Sequence, residues 1–376
     1  MTTGEGSARD TSVQPIFLLS MPRSGSTLAQ RVLAAHPEIS TAAEPWLLLP
    51  HAYALRRYGI AAEYTQPVAA RAIREFVEGL PGGEQDYWQA LRGFALELYG
   101  KASDPGARFF LDKTPRYHFI MPELMRMFPD AKVIFLWRNP LAVVASICET
   151  WTRGRWTVER WRGDLDGIVD LVDAYRELGD ESKAVNFESL VTDPATEWPA
   201  LFDWLGLDFD PEVLTSFAGV RMQGSMGDPT GVEAYRQLST EPLDKWKRQL
   251  GSPWRKRWCR AWLDRIGAER LAVMGYDLDE LVRDLDSLPS RPRLVVSDAI
   301  NGGYWAWAQR RKRAAFKRMA PRLRRQPRGS VRADPRPARV VGSDAPSSEP
   351  SVPPATSRSR TGRTPPPNAT PPTAPG

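Results

Sequence analysis

Two short apolar runs, each passing through a tight polar turn into a helix, constrain this chain more than any other feature. The first is Pro15-Ile16-Phe17-Leu18-Leu19-Ser20. It is followed by Met21-Pro22-Arg23-Ser24-Gly25-Ser26 and by Thr27 to Ala35, with helical spacing at Leu28, Val32 and Leu33. The second is Lys132-Val133-Ile134-Phe135-Leu136-Trp137. After Arg138, Asn139 and Pro140 stand in the order of an N-cap and a first helical residue, and Leu141, Val144, Ala145 and Ile147 continue the helix. A short apolar run between turn residues reads as a buried strand. Lys183-Ala184-Val185-Asn186-Phe187 reads as another strand, and Asp193-Pro194 opens a helix that Gly206 stops after Leu205. Helical patterning with breaks fills residues 42–99. Strands alternating with helices predict an α/β layered fold with a central, mainly parallel sheet.

Charge divides the 376 residues unevenly. The net +6 comes from 51 Lys and Arg against 45 Asp and Glu, but residues 291–376 alone hold 18 basic and 4 acidic groups, a net of +14. Residues 1–290 therefore carry 33 basic and 41 acidic groups, a net of −8. The basic character belongs to the tail, which argues against a nucleic-acid-binding body. The expected organisation is a flexible leader (1–14), a globular body (15–290), a basic aromatic segment (291–320) and a disordered tail (321–376). Fourteen of the last 56 residues are Pro, too little apolar surface to offset the entropy of ordering.

Cys148 and Cys259 cannot build a disulfide framework, so a reducing compartment is expected. With three His in no ligand-like spacing, no metal site is expected. No run of about 18 apolar residues is present, so no spanning helix is expected, and Met1 to Gln14 lacks a signal-peptide pattern. A cytoplasmic protein is the expectation. Tyr304, Trp305, Trp307 and Phe316 beside Arg310 to Arg313 give residues 303–319 three readings: a helix docked on the body or a disordered segment, a peripheral contact with a membrane surface, or a contact with nucleic acid.

The first turn carries chemistry. Backbone N–H groups at a helix start bind anions, helped by the helix dipole. Gly25 permits close approach of an oxyanion, Ser24, Ser26 and Thr27 add hydroxyls, and Arg23 adds a fixed charge. The pattern lacks the first Gly and the Lys of a Walker A loop. A phosphate or sulfate site and a ligand-free turn both fit the loop taken alone. So does a nucleotide kinase or NTPase, less well without the Lys.

Pro22-Arg23-Ser24-Gly25-Ser26-Thr27-Leu28 resembles the loop that holds the 5′-phosphosulfate of 3′-phosphoadenylyl sulfate (PAPS) in sulfotransferases, in the form with Arg at the second position seen in bacterial members and tyrosylprotein sulfotransferases. That family pairs the loop with an Arg at a strand end and a Ser eight residues later, which bind the 3′-phosphate; here these are Arg138 and Ser146. The resemblance runs from about Pro15 to Leu250. It implies a P-loop-like three-layer fold, PAPS as co-substrate, no metal, and transfer of a sulfuryl group to a hydroxyl or amine. By analogy the acceptor is a carbohydrate, lipid or small metabolite.

The resemblance further implies site roles. Glu44, in Glu44-Pro45-Trp46-Leu47, matches the position of the catalytic base, with His36 as the competing base. Lys113, in Asp112-Lys113-Thr114-Pro115-Arg116-Tyr117, either meets the transferring sulfuryl group or pairs with a carboxylate. Phe187-Glu188-Ser189-Leu190 resembles a Tyr-Glu-Asp-Leu segment with Phe in place of Tyr. Lys245, before Trp246, either approaches the cofactor or lies on an exposed basic turn. Trp151, Trp156 and Trp161 either line an acceptor cleft or pack under a surface helix. A non-catalytic membrane adaptor is the reading left if no transfer occurs.

Overall fold

Strands β1 (Gln14–Ser20), β2 (Ile39–Thr41), β3 (Phe109–Asp112), β4 (Lys132–Trp137) and β5 (Ser182–Asn186) form one sheet. Its order is β2-β3-β1-β4-β5, parallel at every step. The structure, a computed structural model, describes residues 13–224 and 237–300. The described residues all lie in the first of two units, residues 1–316.

The apolar runs explain the sheet. Along β1, Ile16 and Leu18 point to one face while Phe17 and Leu19 point to the other; along β4, Ile134 and Leu136 oppose Val133, Phe135 and Trp137. All of these side chains are buried, as expected for parallel strands covered on both faces. Each such side chain contributes about 1.5–3 kcal/mol of burial, and Phe17→Ala is expected to cost about 3–5 kcal/mol.

Helices cover both faces. α1 (Ser26–Leu33) lies on one, and the other carries α2 (Leu48–Ala54), α4 (Glu84–Ala102), α5 (Met121–Met127), α6 (Pro140–Thr152) and α7 (Arg162–Leu178); α3 (Gln66–Glu78) packs on α4. On the α1 face follow α8 (Phe187–Thr192), α9 (Pro194–Leu205) and α10 (Val213–Ser216). On the other face follow α11 (Pro253–Ile266), α12 (Ala268–Val273) and α13 (Leu278–Ser287). The result is the expected three-layer α/β fold. α9 ends as the sequence predicts, on Gly206 at φ 72.

Two features differ from expectation. β2 and β3 were not anticipated: β2 has only three residues, and β3 is four residues ending in a charged Asp112. Thr114-Pro115, which in the sequence reads as the start of a helix through Ile120, Leu124 and Met127, does not start one. A 3-10 turn at Tyr117–Ile120 comes first, and α5 begins at Met121 with Pro122 in its first turn. The Thr114 and Tyr117 hydroxyls both donate to Asp112, which holds this stretch as a loop.

The body continues past residue 290. Residues 292–300 are helical, and Arg291 N–H donates to the Gly251 carbonyl at 2.8 Å. The buried Arg255 guanidinium grips the Asp298 carboxylate, with Nη2 to Oδ1 at 2.7 Å and Nε to Oδ2 at 2.9 Å. Of the leader expected at 1–14, Gln14 instead opens β1 and Val13 is buried; residues 1–12, the helix expected at 303–319 and the tail lie outside the described residues.

Candidate active site

Arg23 to Thr27, Glu44, Lys113 and Arg138 follow the C-terminal ends of β1, β2, β3 and β4, and Ser146 lies in the helix after β4. In open parallel sheets ligands bind at this edge, where successive connections leave in opposite directions. Here that point is β1, between β3 and β4.

The turn after β1 is shaped by two left-handed residues, Arg23 at φ 70 and Gly25 at φ 91. Successive residues of this kind gather backbone N–H groups into a concavity suited to an anion. Gly25 is required twice over: its φ suits only glycine well, and a Cβ there would come within 2.2 Å of the Phe187 ring. Ser24, Ser26 and Thr27 are buried at the start of α1.

The turn after β4 meets it. Arg138 Nη1 donates to the Arg23 carbonyl at 2.8 Å, and Arg23 Nε donates to Ser146 Oγ at 3.3 Å. Asn139 caps α6, its side chain accepting from Leu141 N–H at 2.9 Å, while its own N–H donates to Glu188 Oε1 at 2.9 Å. Tyr276 OH holds the other Glu188 oxygen. The Arg138 guanidinium lies 4.5 Å from the Phe187 ring centroid, so the Phe that replaces the family Tyr stacks under one motif and closes on the glycine of the other. The fold thus joins Arg23, Gly25, Arg138 and Ser146, which the sequence separates by more than a hundred positions.

Glu44 and Lys113 form a second cluster. Lys113 Nζ lies 2.7 Å from Glu44 Oε1, with the two side chains only 2 % and 10 % exposed. Trp46 Nε1 donates to Glu44 Oε2 at 3.1 Å. Beneath them Asp112 is fully buried and accepts from Tyr99 OH at 2.6 Å, Tyr117 OH at 2.7 Å and Thr114 Oγ1 at 2.9 Å. Burial raises the Asp112 carboxyl, partly offset by these donors. It raises the two phenols well above their usual range. From α1, Gln30 Nε2 donates to the Ala42 and Ala43 carbonyls at 2.7 and 3.2 Å, tying the helix of the first turn to the segment that delivers Glu44.

Other candidates sit elsewhere. His36 is buried, accepts from Glu38 N–H at Nδ1 and directs Nε2 to the Asp208 carbonyl, so both ring nitrogens are engaged with backbone. Lys245 pairs with Glu241 at 3.1 Å and is half exposed, although the adjacent Pro242 carbonyl accepts from Arg138 Nη2 at 3.1 Å. Trp151 and Trp161 pack on each other with ring centroids 4.2 Å apart. Trp156 lies under Arg255 and edge-on to Trp258. Their rings are partly buried against the core. Among the described residues no group of His, Cys, Asp and Glu is arranged to hold a metal ion, and no helix is long and apolar enough to cross a membrane.

Sequence reading missed Gln30, Asp112, Trp46 and Glu188 as supports. Asp112 and Trp46 carried a signal by nearness to Lys113 and Glu44, and Glu188 by lying in the Phe187–Leu190 segment. Gln30 is an ordinary helix residue until the fold brings a backbone to it.

The model described as "Sulfotransferase family" matches residues 15–211. Nodulation protein NoeE of Sinorhizobium fredii is 30 % identical over 303 residues, covering 72 % of this chain and 68 % of that one. Protein-tyrosine sulfotransferase 2 of Gallus gallus is 26 % identical over 249 residues, covering 61 % of this chain; the chain spans 62 % of that enzyme's length. A solved sulfotransferase domain from the curacin biosynthetic pathway is 23 % identical, with a TM-score of 0.49, and covers 70 % of this chain and 98 % of its own. With the family model covering more than half of its residues, this chain belongs to the sulfotransferase family.

Proposed function

We propose that the protein transfers a sulfuryl group from PAPS to a hydroxyl or amine acceptor. The observation that carries this reading is the junction of the two turns: Arg138 on the Arg23 carbonyl and Arg23 on Ser146 Oγ. A single phosphate turn would serve any nucleotide. A second cation and hydroxyl from another strand suit a nucleotide with separate 5′- and 3′-anions, since an Arg fork and a hydroxyl share one phosphate well.

The residues divide the work. The N–H groups of Ser24 to Thr27 and the Arg23 side chain stabilise charge that grows on the leaving 5′-phosphate. Arg138 and Ser146 hold the 3′-phosphate. Glu44 takes the proton of the acceptor as its oxygen or nitrogen bonds to sulfur and the sulfur–oxygen bond to the phosphate breaks. Lys113, already on Glu44, lies where it can also face the sulfuryl oxygens. Glu44 is preferred over His36 because the ring nitrogens of His36 are committed to backbone. Lys245 has a minor role, its ammonium being engaged by Glu241.

Calorimetry with 3′,5′-ADP and with ATP tests this. Tighter binding of 3′,5′-ADP, lost in Arg138→Ala, is expected; equal or tighter binding of ATP sinks the reading in favour of an NTPase-like site. Labelled PAPS offered with carbohydrate, lipid and aryl acceptors then sorts the acceptor class, with carbohydrates as our first choice.

A further inference from the structure

Trp46 stands out as an aromatic residue with a left-handed backbone, at φ 54. This conformation is unfavourable for a bulky L-residue and persists only where the surroundings over-determine it. The surroundings here do so at three points. The Trp46 N–H donates to Thr114 Oγ1 at 3.3 Å, and that hydroxyl donates to the buried Asp112. The indole Nε1–H donates to Glu44 Oε2 at 3.1 Å. The Arg116 guanidinium lies 5.5 Å from the indole centroid. Arg116 is itself fixed on Asp164, with Nε to Oδ1 at 2.7 Å and Nη2 to Oδ2 at 3.0 Å.

We propose that Trp46 is a positioning residue for the catalytic carboxylate. Among the described residues, Glu44 would otherwise be held only at Oε1, by Lys113, and could rotate about that contact. The indole N–H fixes the second oxygen and so sets the carboxylate plane. An indole is a donor only, so it orients Glu44 without competing with it for the acceptor's proton. The left-handed backbone allows the main-chain N–H of Trp46 to reach Thr114 while its side chain turns back to a residue only two positions away. The strain at Trp46 is thereby tied to the Asp112 network under Lys113, and one framework orients both members of the Glu44–Lys113 pair.

This inference rests on Glu44 as the base, but its test needs neither donor nor acceptor. The infrared carboxylate bands of Glu44 are obtained by subtracting the spectrum of Glu44→Gln from that of the wild type. The same subtraction is made in a Trp46→Phe background, where the ring remains and the N–H is gone. A shift of the asymmetric stretch and a broader band are expected, with 3′,5′-ADP affinity within about twofold of wild type. Unchanged Glu44 bands in folded Trp46→Phe overturn the proposal. A shift accompanied by a large loss of 3′,5′-ADP affinity also overturns it, because Trp46 would then support the whole edge of the sheet. If Trp46→Phe does not fold, Trp46→Gly, whose backbone takes φ 54 without strain, is read in the same way. Failure of wild type to bind 3′,5′-ADP would refute the PAPS reading and leave the infrared result to decide on Trp46 alone.

Discussion

The turn after β1 owes its shape to backbone: Arg23 and Gly25 take left-handed conformations, and the residues that follow open α1. The Glu44–Lys113 cluster owes its shape to side chains. Glu44 is gripped by Lys113 and Trp46, and Asp112 below accepts three hydroxyls. The backbone-built half is written in consecutive residues, needs a glycine, and tolerates little change in φ. The side-chain-built half is collected from segments 69 positions apart, is nearly dry, and fails when one partner is lost. An anion cradle requires many donors at one place, which a helix start supplies locally; a base requires one group of controlled orientation, which only packing can supply.

The sharpest way to break this contrast is Glu44→Gln. Transfer is expected to fall about a thousandfold, within the range for loss of a general base, while 3′,5′-ADP affinity stays. Joint loss of transfer and binding, read by calorimetry, would make Glu44 structural and merge the two halves.

His118, in the turn beyond Lys113, sharpens the contrast through pH. Its ring is 3 % exposed, and burial pushes it from 6.5 down to about 4. The unfolded chain takes up this proton near pH 6.5 and the native protein only near pH 4. Stability from the neutral ring is therefore full above about pH 6.5 and is lost as pH falls toward 4, by up to about 3 kcal/mol. Urea unfolding across this window should show the slope in wild type and a flatter curve in His118→Gln; parallel curves would refute it.

Arg23→Ala tests the cradle half. A drop in turnover of about 100-fold is expected, the scale of losing one preorganised donor, with Glu44 undisturbed. Near-normal turnover would remove Arg23 from the chemistry.

The smallest effect belongs to Asn139→Ala. Loss of the α6 cap should cost about 1 kcal/mol in thermal unfolding, with a few-fold weaker 3′,5′-ADP binding because the cap follows Arg138 directly. A full loss of binding would show that the second turn is less self-sufficient than the first.

Legibility in the sequence followed the same division. Ile16 to Leu19 and Val133 to Trp137 announced buried strands because parallel strands bury both faces, and Asn139-Pro140 announced a helix start because capping is local. The three residues of β2 carried no period to read. Thr114-Pro115 promised a helix that hydroxyl bonds to Asp112 prevented. Trp151, Trp156 and Trp161 fitted both a cleft and a packed layer until their ring contacts placed them against the core.

The sequence by itself determined an α/β layered fold with a mainly parallel sheet, the first turn with its anion-binding residue types, and the separation of an acidic body from a basic tail. These follow from periodicity, capping and charge, which act over a few residues or simply add. Only the tertiary structure decided that Arg138 reaches the Arg23 carbonyl, that Lys113 pairs with Glu44 rather than with another carboxylate, and that Trp46 fixes the second oxygen. The first contact exists because β1 pairs with β4, the second because β2 pairs with β3, and the third because the backbone at Trp46 is left-handed. Their energies depend on the exclusion of water at that edge, which no local stretch of sequence encodes.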